Sequence, residues 1–149
     1  MGTIGALNLV KSELNQTFFV SNCDTIIHTD HEKILKYHQE KGNDLTIVSS
    51  LKETKIPYGV LKLENSFVKE LKEKPTYNHL VMVGLYVLEP HVLQYLPEGC
   101  SEITDLIESL IKNNCKVGVF PVTNNKWFDI GQWGEYQRTL KEFEHFYKE

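Results

Sequence analysis

The first third of the chain alternates two apolar, strand-like runs with one helical pattern. Residues 17–23 are apolar at first and end in polar residues, which is typical of a strand buried on both faces. A capping box over residues 29–32 then begins a helix that runs to Lys41 and stops at Gly42. Residues 44–51 form a second strand-like run. The pattern predicts a βαβ unit whose two strands run parallel.

The rest of the chain carries the patterns of a hairpin, two more strands and three helices. The predicted elements are a β-hairpin over 58–63 and 67–71, a strand over 80–88, a short helix over 90–96, a helix over 103–111 capped by Ser101, a strand over 116–122, and a terminal helix over 133–147. No linker composition or internal repeat interrupts them. We therefore expect one α/β domain over residues 1–149.

Charge and composition exclude several functional classes. The formal charge of −4 argues against nucleic-acid binding, which needs clustered Lys and Arg. No apolar run approaches the roughly 20 residues that span a bilayer, so we expect no membrane partner and a cytoplasmic location. Three widely spaced cysteines, without a C-x-x-C pair, indicate reduced thiols. Six histidines lack zinc-like spacing, and no nucleophile motif or phosphate-binding Gly-rich loop is present.

Two aspartates stand where a divalent cation could bind. Asp24 closes the first strand, and ligands of open α/β sheets bind beyond the carboxyl ends of strands. Asp129 lies between bulky apolar residues and a glycine-containing turn. Each could instead be a turn or helix-capping residue. Brought together, the two carboxylates would suit Mg²⁺, whose other positions are filled by water and substrate phosphates.

Weaker signals come from one lysine and two glycines. Pro75 favours an extended backbone at Lys74, which could point its ammonium group into a cleft. A plain surface pair between Lys74 and Glu73 is the alternative. Gly59 and Gly84 lie inside strand patterns, where a glycine marks either close approach of a ligand or a β-bulge.

Six segments, taken in order, carry a resemblance to a known family. They are Gly2-Thr3-Ile4-Gly5-Ala6-Leu7, Phe18-Phe19-Val20-Ser21-Asn22-Cys23-Asp24, Tyr58-Gly59-Val60, Glu73-Lys74-Pro75, and Gly84-Leu85-Tyr86 together with Trp127-Phe128-Asp129-Ile130-Gly131. The chain resembles the sugar-1-phosphate nucleotidyltransferases, and most of all their mannose-1-phosphate guanylyltransferase branch, from residue 2 to about residue 136. The resemblance implies a three-layer, Rossmann-like mixed sheet with flanking helices, the nucleotide-diphospho-sugar transferase fold.

The same resemblance implies a reaction and the residues that perform it. A nucleoside triphosphate, with GTP favoured on resemblance alone, and a sugar 1-phosphate would react with release of pyrophosphate. Asp24 and Asp129 would hold Mg²⁺, and Lys74 would neutralise the sugar phosphate. The substrate-binding residues implied are, for the base, Gly2 and Gly5, and for the sugar, Gly59, Glu73 and Gly84.

Two departures from the family pattern qualify these expectations. The family's Gly-rich signature precedes the segment matched by residues 2–7, so the chain is expected to be an N-terminally truncated, nearly inactive fragment. Met82 stands where the family has a polar Asn, which puts one sugar contact in doubt. The alternatives are a noncatalytic domain of the same fold that binds a sugar nucleotide or regulates a partner, with exposed apolar surface favouring a homo-oligomer, and an unrelated α/β domain.

Overall fold

The computed structural model describes residues 4–97, 102–123 and 127–129. Helices and strands alternate along this part of the chain. In order, they are α1 (Leu7–Val10), β1 (Phe18–Ser21), β2 (Thr25–Ile27), α2 (His31–Lys41), β3 (Leu45–Lys55), β4 (Val60–Glu64), β5 (Phe67–Lys72), β6 (Thr76–Leu88), a 3₁₀ helix (Pro90–Tyr95), α3 (Ile103–Lys112), β7 (Val117–Val122) and β8 (Trp127–Asp129). The predicted helix over 133–147 lies outside the described residues.

The central sheet has four strands in the order β1-β6-β3-β7. Strand β6 is antiparallel to both β1 and β3, whereas β3 and β7 are parallel. The predicted parallel direction of β1 and β3 is therefore correct. They are not neighbours, however, because β6 lies between them. The sheet is mixed, as expected, and its longest strand comes from the middle of the chain.

Helix α2 covers one face of this sheet. Its N-cap is Asp30, whose Oδ1 accepts hydrogen bonds from the backbone N–H groups of Glu32 and Lys33, at 3.0 and 3.4 Å. The predicted capping box starting at residue 29 was therefore one residue early. Gly42 ends the helix in the left-handed conformation, with φ of 58°, as predicted. On the inner side, Ile34 packs into a cluster with Val48, Val83, Leu85, Val87 and Val122.

The buried polar side chain of α2 is His38, which is 1% exposed. Its Nδ1 lies 2.8 Å from Thr46 Oγ1, and its Nε2 lies 3.1 Å from Glu89 Oε1. Asn43 Nδ2 donates to the same Thr46 oxygen at 2.9 Å, and Thr17 Oγ1 donates to Glu89 Oε1 at 2.8 Å. One chain of hydrogen bonds thus joins α2 to the sheet. It reaches the start of β1, the start of β3 and the end of β6.

Helix α3 covers the opposite face, which makes three layers. Its apolar side packs with strand residues that alternate with those facing α2; the cluster includes Leu45, Ile47, Tyr86, Leu88, Leu106 and Leu110. The N-cap is Glu102 rather than the predicted Ser101, and the Glu102 N–H donates to Asp105 Oδ2 at 2.8 Å. A capping box formed by Glu102 and Asp105 thus replaces the expected hydroxyl cap.

Beyond the core, β3 and β6 continue as an exposed ribbon, pairing residues 51–55 with 76–80. Strands β4 and β5 form the predicted hairpin as a separate two-stranded sheet. Its loop residues Asn65 and Ser66 both have positive φ, 50° and 68°, which matches a two-residue turn of type I′. One hairpin face exposes four apolar side chains, Leu61, Leu63, Val68 and Leu71. The homo-oligomer expected from exposed apolar surface stays a prediction.

None of the helices described above has the length and apolar character needed to cross a membrane.

Close packing at Gly118 generates a stability prediction. A Cβ on Gly118 would lie 2.1 Å from Asn43 Nδ2, and Asn43 is buried and bonded to Thr46. Gly118→Ala should therefore lower the free energy of unfolding by about 2–3 kcal/mol, through overpacking and a disturbed buried amide. Urea denaturation measures this loss.

The matched control is Gly59→Ala. There the added Cβ would meet Glu73 Oε2 at 3.3 Å and Leu71 Cδ1 at 3.4 Å, and the first of these ends a flexible, exposed side chain. We expect a change below about 0.5 kcal/mol at Gly59. Equal losses at both glycines would contradict the packing of Asn43 against β7.

Candidate active site

The first predicted metal ligand, Asp24, lies in the turn between β1 and β2. The turn is tied to the sheet because the Asn22 N–H donates to the Gly84 carbonyl at 2.8 Å. Asp24 itself is exposed, and its Oδ1 accepts a long hydrogen bond from Thr25 Oγ1 at 3.5 Å. Its carboxylate is therefore accessible from solvent at the carboxyl end of β1.

The second predicted ligand, Asp129, comes to the same place through strand pairing. Strands β2 and β8 are antiparallel, and Asp129 is the register partner of Thr25. Directly opposed residues have Cα atoms about 4.5–5.5 Å apart, and Asp24 is the next residue along. The backbone thus brings the two positions together from distant parts of the chain. The described side chains contain no group of three His, Cys, Asp or Glu able to hold a metal, so the metal role of both aspartates stays a prediction.

Trp127 anchors β8 beside this turn. Its ring packs against the cluster under α2, and Lys52 Nζ lies 6.0 Å from the ring centroid. The indole Nε1 is buried and has no hydrogen-bond partner among the residues described. Because a buried indole N–H normally has a partner, this atom is one place where a bound group or water would be accommodated.

Gly84 is a glycine for two structural reasons. Its φ is 81°, and a Cβ there would lie within 2.9–3.1 Å of three Asn22 side-chain atoms. It also lies in a register irregularity, where the pairing of Ile47 with Tyr86 is followed by that of Ser49 with Met82. The β-bulge alternative thus accounts for this glycine. The sugar contact of Gly84 stays a prediction, as does the effect of the half-exposed Met82 on it.

Gly59 and Glu73, both predicted to bind the sugar, are brought together by the hairpin. They flank the paired residues Val60 and Lys72, and the Glu73 carboxylate lies near the position that a Gly59 Cβ would take. Both are exposed to solvent. Gly5, predicted to approach the base, is buried in the turn before α1, and Gly2 lies outside the described residues.

Lys74 departs from the expected conformation. Its φ is 43°, so the extended backbone predicted from Pro75 was wrong. The chain must turn from β5 to β6 within three residues, and the positive φ at Lys74 supplies that turn. The Lys74 ammonium lies 3.6 Å from Glu73 Oε1, with both side chains more than half exposed, at 61% and 68%. This is the surface pair that the sequence left open as an alternative.

Lys74 and Asp24 approach β6 at different levels. Lys74 precedes Thr76 at the start of this strand, whereas Asp24 follows the contact of Asn22 with Gly84. Eight residues of extended strand correspond to roughly 26 Å if the strand is straight. No contact joins the two residues in the described part of the chain, and their shared role in one site stays a prediction.

Tyr86, next in the Gly84-Leu85-Tyr86 segment, belongs to the core rather than to the cleft. It is 3% exposed, and burial raises the pKa of its hydroxyl above the ordinary value of 10.0. The phenol therefore remains uncharged at neutral pH and contributes packing. The contact of Asn22 with Gly84, by contrast, was not predicted from the sequence, although Asn22 lies directly after β1 and two residues before Asp24.

Comparison with known proteins assigns the chain to a family. The family model described as "Nucleotidyl transferase" matches residues 1–145. The chain belongs to the nucleotidyl transferase family. This confirms the resemblance found in the sequence, and the mixed α/β sheet agrees with the fold expected from it.

Similar nucleotidyl transferases include enzymes for different bases and sugars. The chain is 30% identical over 155 residues to a UTP–glucose-1-phosphate uridylyltransferase of Synechocystis, covering 95% of this chain and 39% of that protein. It is 29% identical over 150 residues to mannose-1-phosphate guanylyltransferase 1 of Arabidopsis thaliana, covering 95% and 41%. The chain therefore spans about two fifths of the length of these relatives.

A solved structure of similar fold is that of HddC from Yersinia pseudotuberculosis. Its TM-score is 0.67 at 23% sequence identity, and the match covers 95% of this chain and 62% of that one. At this identity the likeness concerns the fold alone. It supports the nucleotide-diphospho-sugar transferase fold that the sequence resemblance implied.

The contact of Asn22 with Gly84 generates a prediction about this nucleotidyl transferase chain. Gly84→Ala should lower the free energy of unfolding by about 3 kcal/mol, because it adds both a strained φ and a clash with Asn22. Asn22→Gly removes the clash partner but leaves the strain. The double variant should therefore be at least about 1 kcal/mol more stable than the two single losses predict together.

Urea denaturation of the four proteins completes this double-mutant cycle. Additive losses would show that the Asn22 side chain does not rest on Gly84.

Proposed function

We propose that the chain contributes the metal and sugar-phosphate side of a sugar-1-phosphate nucleotidyltransferase site. The observation that carries this proposal is the pairing of Thr25 with Asp129, which sets two aspartate positions side by side at the end of the sheet. Family membership supports the reaction class. Because the chain spans about 40% of the length of these relatives, the activity of the whole protein is part of the proposal.

In the proposed reaction, a phosphate oxygen of the sugar 1-phosphate attacks the α-phosphorus of a nucleoside triphosphate. A new P–O bond forms, the bond to the β-phosphate oxygen breaks, and pyrophosphate leaves with that electron pair. No enzyme nucleophile is required, so the protein contributes positioning and charge neutralisation. The products are a nucleoside diphosphate sugar and pyrophosphate.

Asp24 and Asp129 would hold Mg²⁺ in this proposal. Their carboxylate oxygens are the hard ligands that Mg²⁺ prefers, and an ion bound by only two of them keeps positions for phosphate oxygens and water. The open position of Asp24 at the sheet end fits this requirement. When bound, the ion would supply positive charge to the reacting phosphates.

The sugar phosphate would lie along the end of the hairpin. Gly59 leaves space beside the Glu73 carboxylate, which can accept hydrogen bonds from sugar hydroxyls. Within the described residues, the Lys74 ammonium is paired with the exposed Glu73, and it can exchange this partner for a phosphate. We therefore assign Gly59 and Glu73 to the sugar and Lys74 to its phosphate, an assignment that requires the hairpin end to lie nearer the two aspartates than a straight β6 would put it.

The base and the sugar remain parts of the proposal. We favour GTP and a hexose 1-phosphate, since the Arabidopsis relative is named for guanylyl transfer to mannose 1-phosphate. The Synechocystis relative, named for UTP and glucose 1-phosphate, is the direct alternative.

Exposed Cys23 and partly buried Cys115 are free thiols, which suits a reducing compartment, and the proposed setting is the cytoplasm.

The metal site is tested with Mn²⁺ as a paramagnetic substitute for Mg²⁺. In the presence of a GDP-sugar, Mn²⁺ should selectively broaden the amide NMR signals of Thr25 and Asp129. Asp24→Asn should weaken this binding at least about tenfold, because one of two protein carboxylates is lost. The control Glu53→Gln removes an exposed carboxylate from the outer part of β3 and should leave the broadening unchanged.

If broadening occurs elsewhere, or if both variants weaken it equally, Asp24 is not a metal ligand and the proposed chemistry fails. Intact amide spectra of both variants separate this outcome from unfolding.

The sugar-phosphate side is tested independently by calorimetry. Lys74→Gln should weaken binding of mannose 1-phosphate or glucose 1-phosphate by about tenfold, since a charge-assisted contact to phosphate is lost. Lys55→Gln, on the nearby end of β3, removes the same charge without touching the proposed site. Unchanged affinity in Lys74→Gln would remove this residue from the site.

A further inference from the structure

A small depression lies between the hairpin and the start of β6. Its volume is about 140 Å³, and it is lined by Val60, Lys62, Glu70, Lys72 and Tyr77. Pockets for drug-sized ligands are usually about 300–1,000 Å³. The space therefore suits a small group rather than a whole nucleotide.

The depression lies on the opposite side of the hairpin from the proposed sugar site. Side chains alternate between the two faces of a strand. A Cβ on Gly59 would meet the side chains of Leu71 and Glu73, so these residues share one face. Val60 and Lys72 are their neighbours in sequence and pair with each other, which puts them on the other face. A ligand in the depression would therefore not occupy the Gly59 and Glu73 site.

Strand pairing sets the two lysines of the depression diagonally. Lys62 pairs with Glu70, and Val60 pairs with Lys72. Side chains in diagonal positions have backbone separations of about 7–8 Å, which long side chains can bridge. The ammonium groups of Lys62 and Lys72 can thus converge on one anion.

The charge of the depression is positive in a chain whose net charge is −4. Lys72 lies 3.4 Å from Glu70 Oε1, in a pair that is about half exposed. The nearby Lys69 is paired with Glu64 at 2.6 Å. Lys62, in contrast, has no ion pair with any residue in the described part of the chain. Two ammonium groups therefore face one carboxylate, and one of them has no partner.

We propose that this depression binds a phosphoryl group, either as inorganic phosphate or at the end of a small phosphomonoester. Lys62 and Lys72 supply the charge, and the Tyr77 hydroxyl supplies a neutral donor. Glu70 opposes the anion, so binding replaces its contact with Lys72. The site is separate from the proposed transfer site and would sense phosphate-bearing metabolites without taking part in the reaction.

The test is an amide NMR titration of the whole chain at low salt, with inorganic phosphate in one arm and glucose 1-phosphate in the other. We expect saturable shifts around Lys62, Lys72 and Tyr77, with a dissociation constant on the order of 1 mM. Equal binding in both arms would show that the phosphoryl group alone is recognised. Stronger binding of glucose 1-phosphate would assign the site to a phosphomonoester.

Four variants locate the site. Lys62→Gln and Lys72→Gln should each weaken phosphate binding about tenfold. Lys69→Gln and Lys74→Gln remove the same charge outside the depression. They should change the dissociation constant for phosphate less than twofold. Equal loss in Lys62→Gln and Lys69→Gln would mean a general charge effect and overturn the proposal. Loss in Lys74→Gln alone would place the phosphate at the proposed transfer site instead.

Glu70→Gln supplies a test of opposite sign. Removing the opposing carboxylate should strengthen phosphate binding at least about threefold, an outcome that misfolding cannot produce. Weaker binding in this variant, with a native amide spectrum, would also overturn the proposal.

Discussion

The position of the candidate metal site depends on the close approach of Asn22 to Gly84. The backbone hydrogen bond between them, at 2.8 Å, is the last tie between β1 and β6 before the chain turns towards Asp24. Only a residue without a Cβ leaves room for the Asn22 side chain there, and only glycine readily adopts a φ of 81°. The bulge in β6 is therefore part of what sets the direction of the turn.

A second constraint holds the layers of the sheet in register. His38 projects from α2 between Thr46 at the start of β3 and Glu89 just after β6. The hydrogen bonds have a consistent direction if Asn43 donates to Thr46, Thr46 to His38 Nδ1, and His38 Nε2–H to Glu89. Asn43 Nδ2, Thr46 Oγ1 and both ring nitrogens of His38 then each have a partner, so the burial of these four atoms leaves none of them unsatisfied. This network fixes the ends of the strands opposite to those that carry Asp24.

Local signals account for the parts of the fold that were predicted from the sequence. Gly42 ends α2 because glycine readily adopts the left-handed conformation. The two loop residues Asn65 and Ser66 form the hairpin turn by themselves, since both have positive φ. The caps at Asp30 and Glu102 were each misplaced by one residue, since neighbouring polar side chains compete for the same N–H groups. No local sequence feature decides which of two adjacent polar residues becomes the N-cap.

Non-local pairing explains what the sequence did not predict. The insertion of β6 between β1 and β3 depends on contacts across the whole sheet, and the two strands that it separates show no pattern that reveals a third partner. The positive φ at Lys74 likewise arises from the need to turn between two sheets, which overrides the preference set by Pro75. The nearness of Asp24 and Asp129 was suggested by family resemblance and agrees with the β2–β8 register, whereas no local pattern predicts the contact of Asn22 with Gly84.

One extra residue in β5 sorts the side chains of the hairpin into two chemically different faces. The register shifts after Lys62, so that Leu63 pairs with Val68 and Lys69 is left over. In a regular ladder Lys69 would oppose Leu63, which would put an ammonium group on the apolar face. The bulge instead lets Val68 join that face and leaves Lys69 free to pair with Glu64. Lys62 and Lys72 then remain as the cations of the other face, apart from the glycine and carboxylate proposed to meet the sugar.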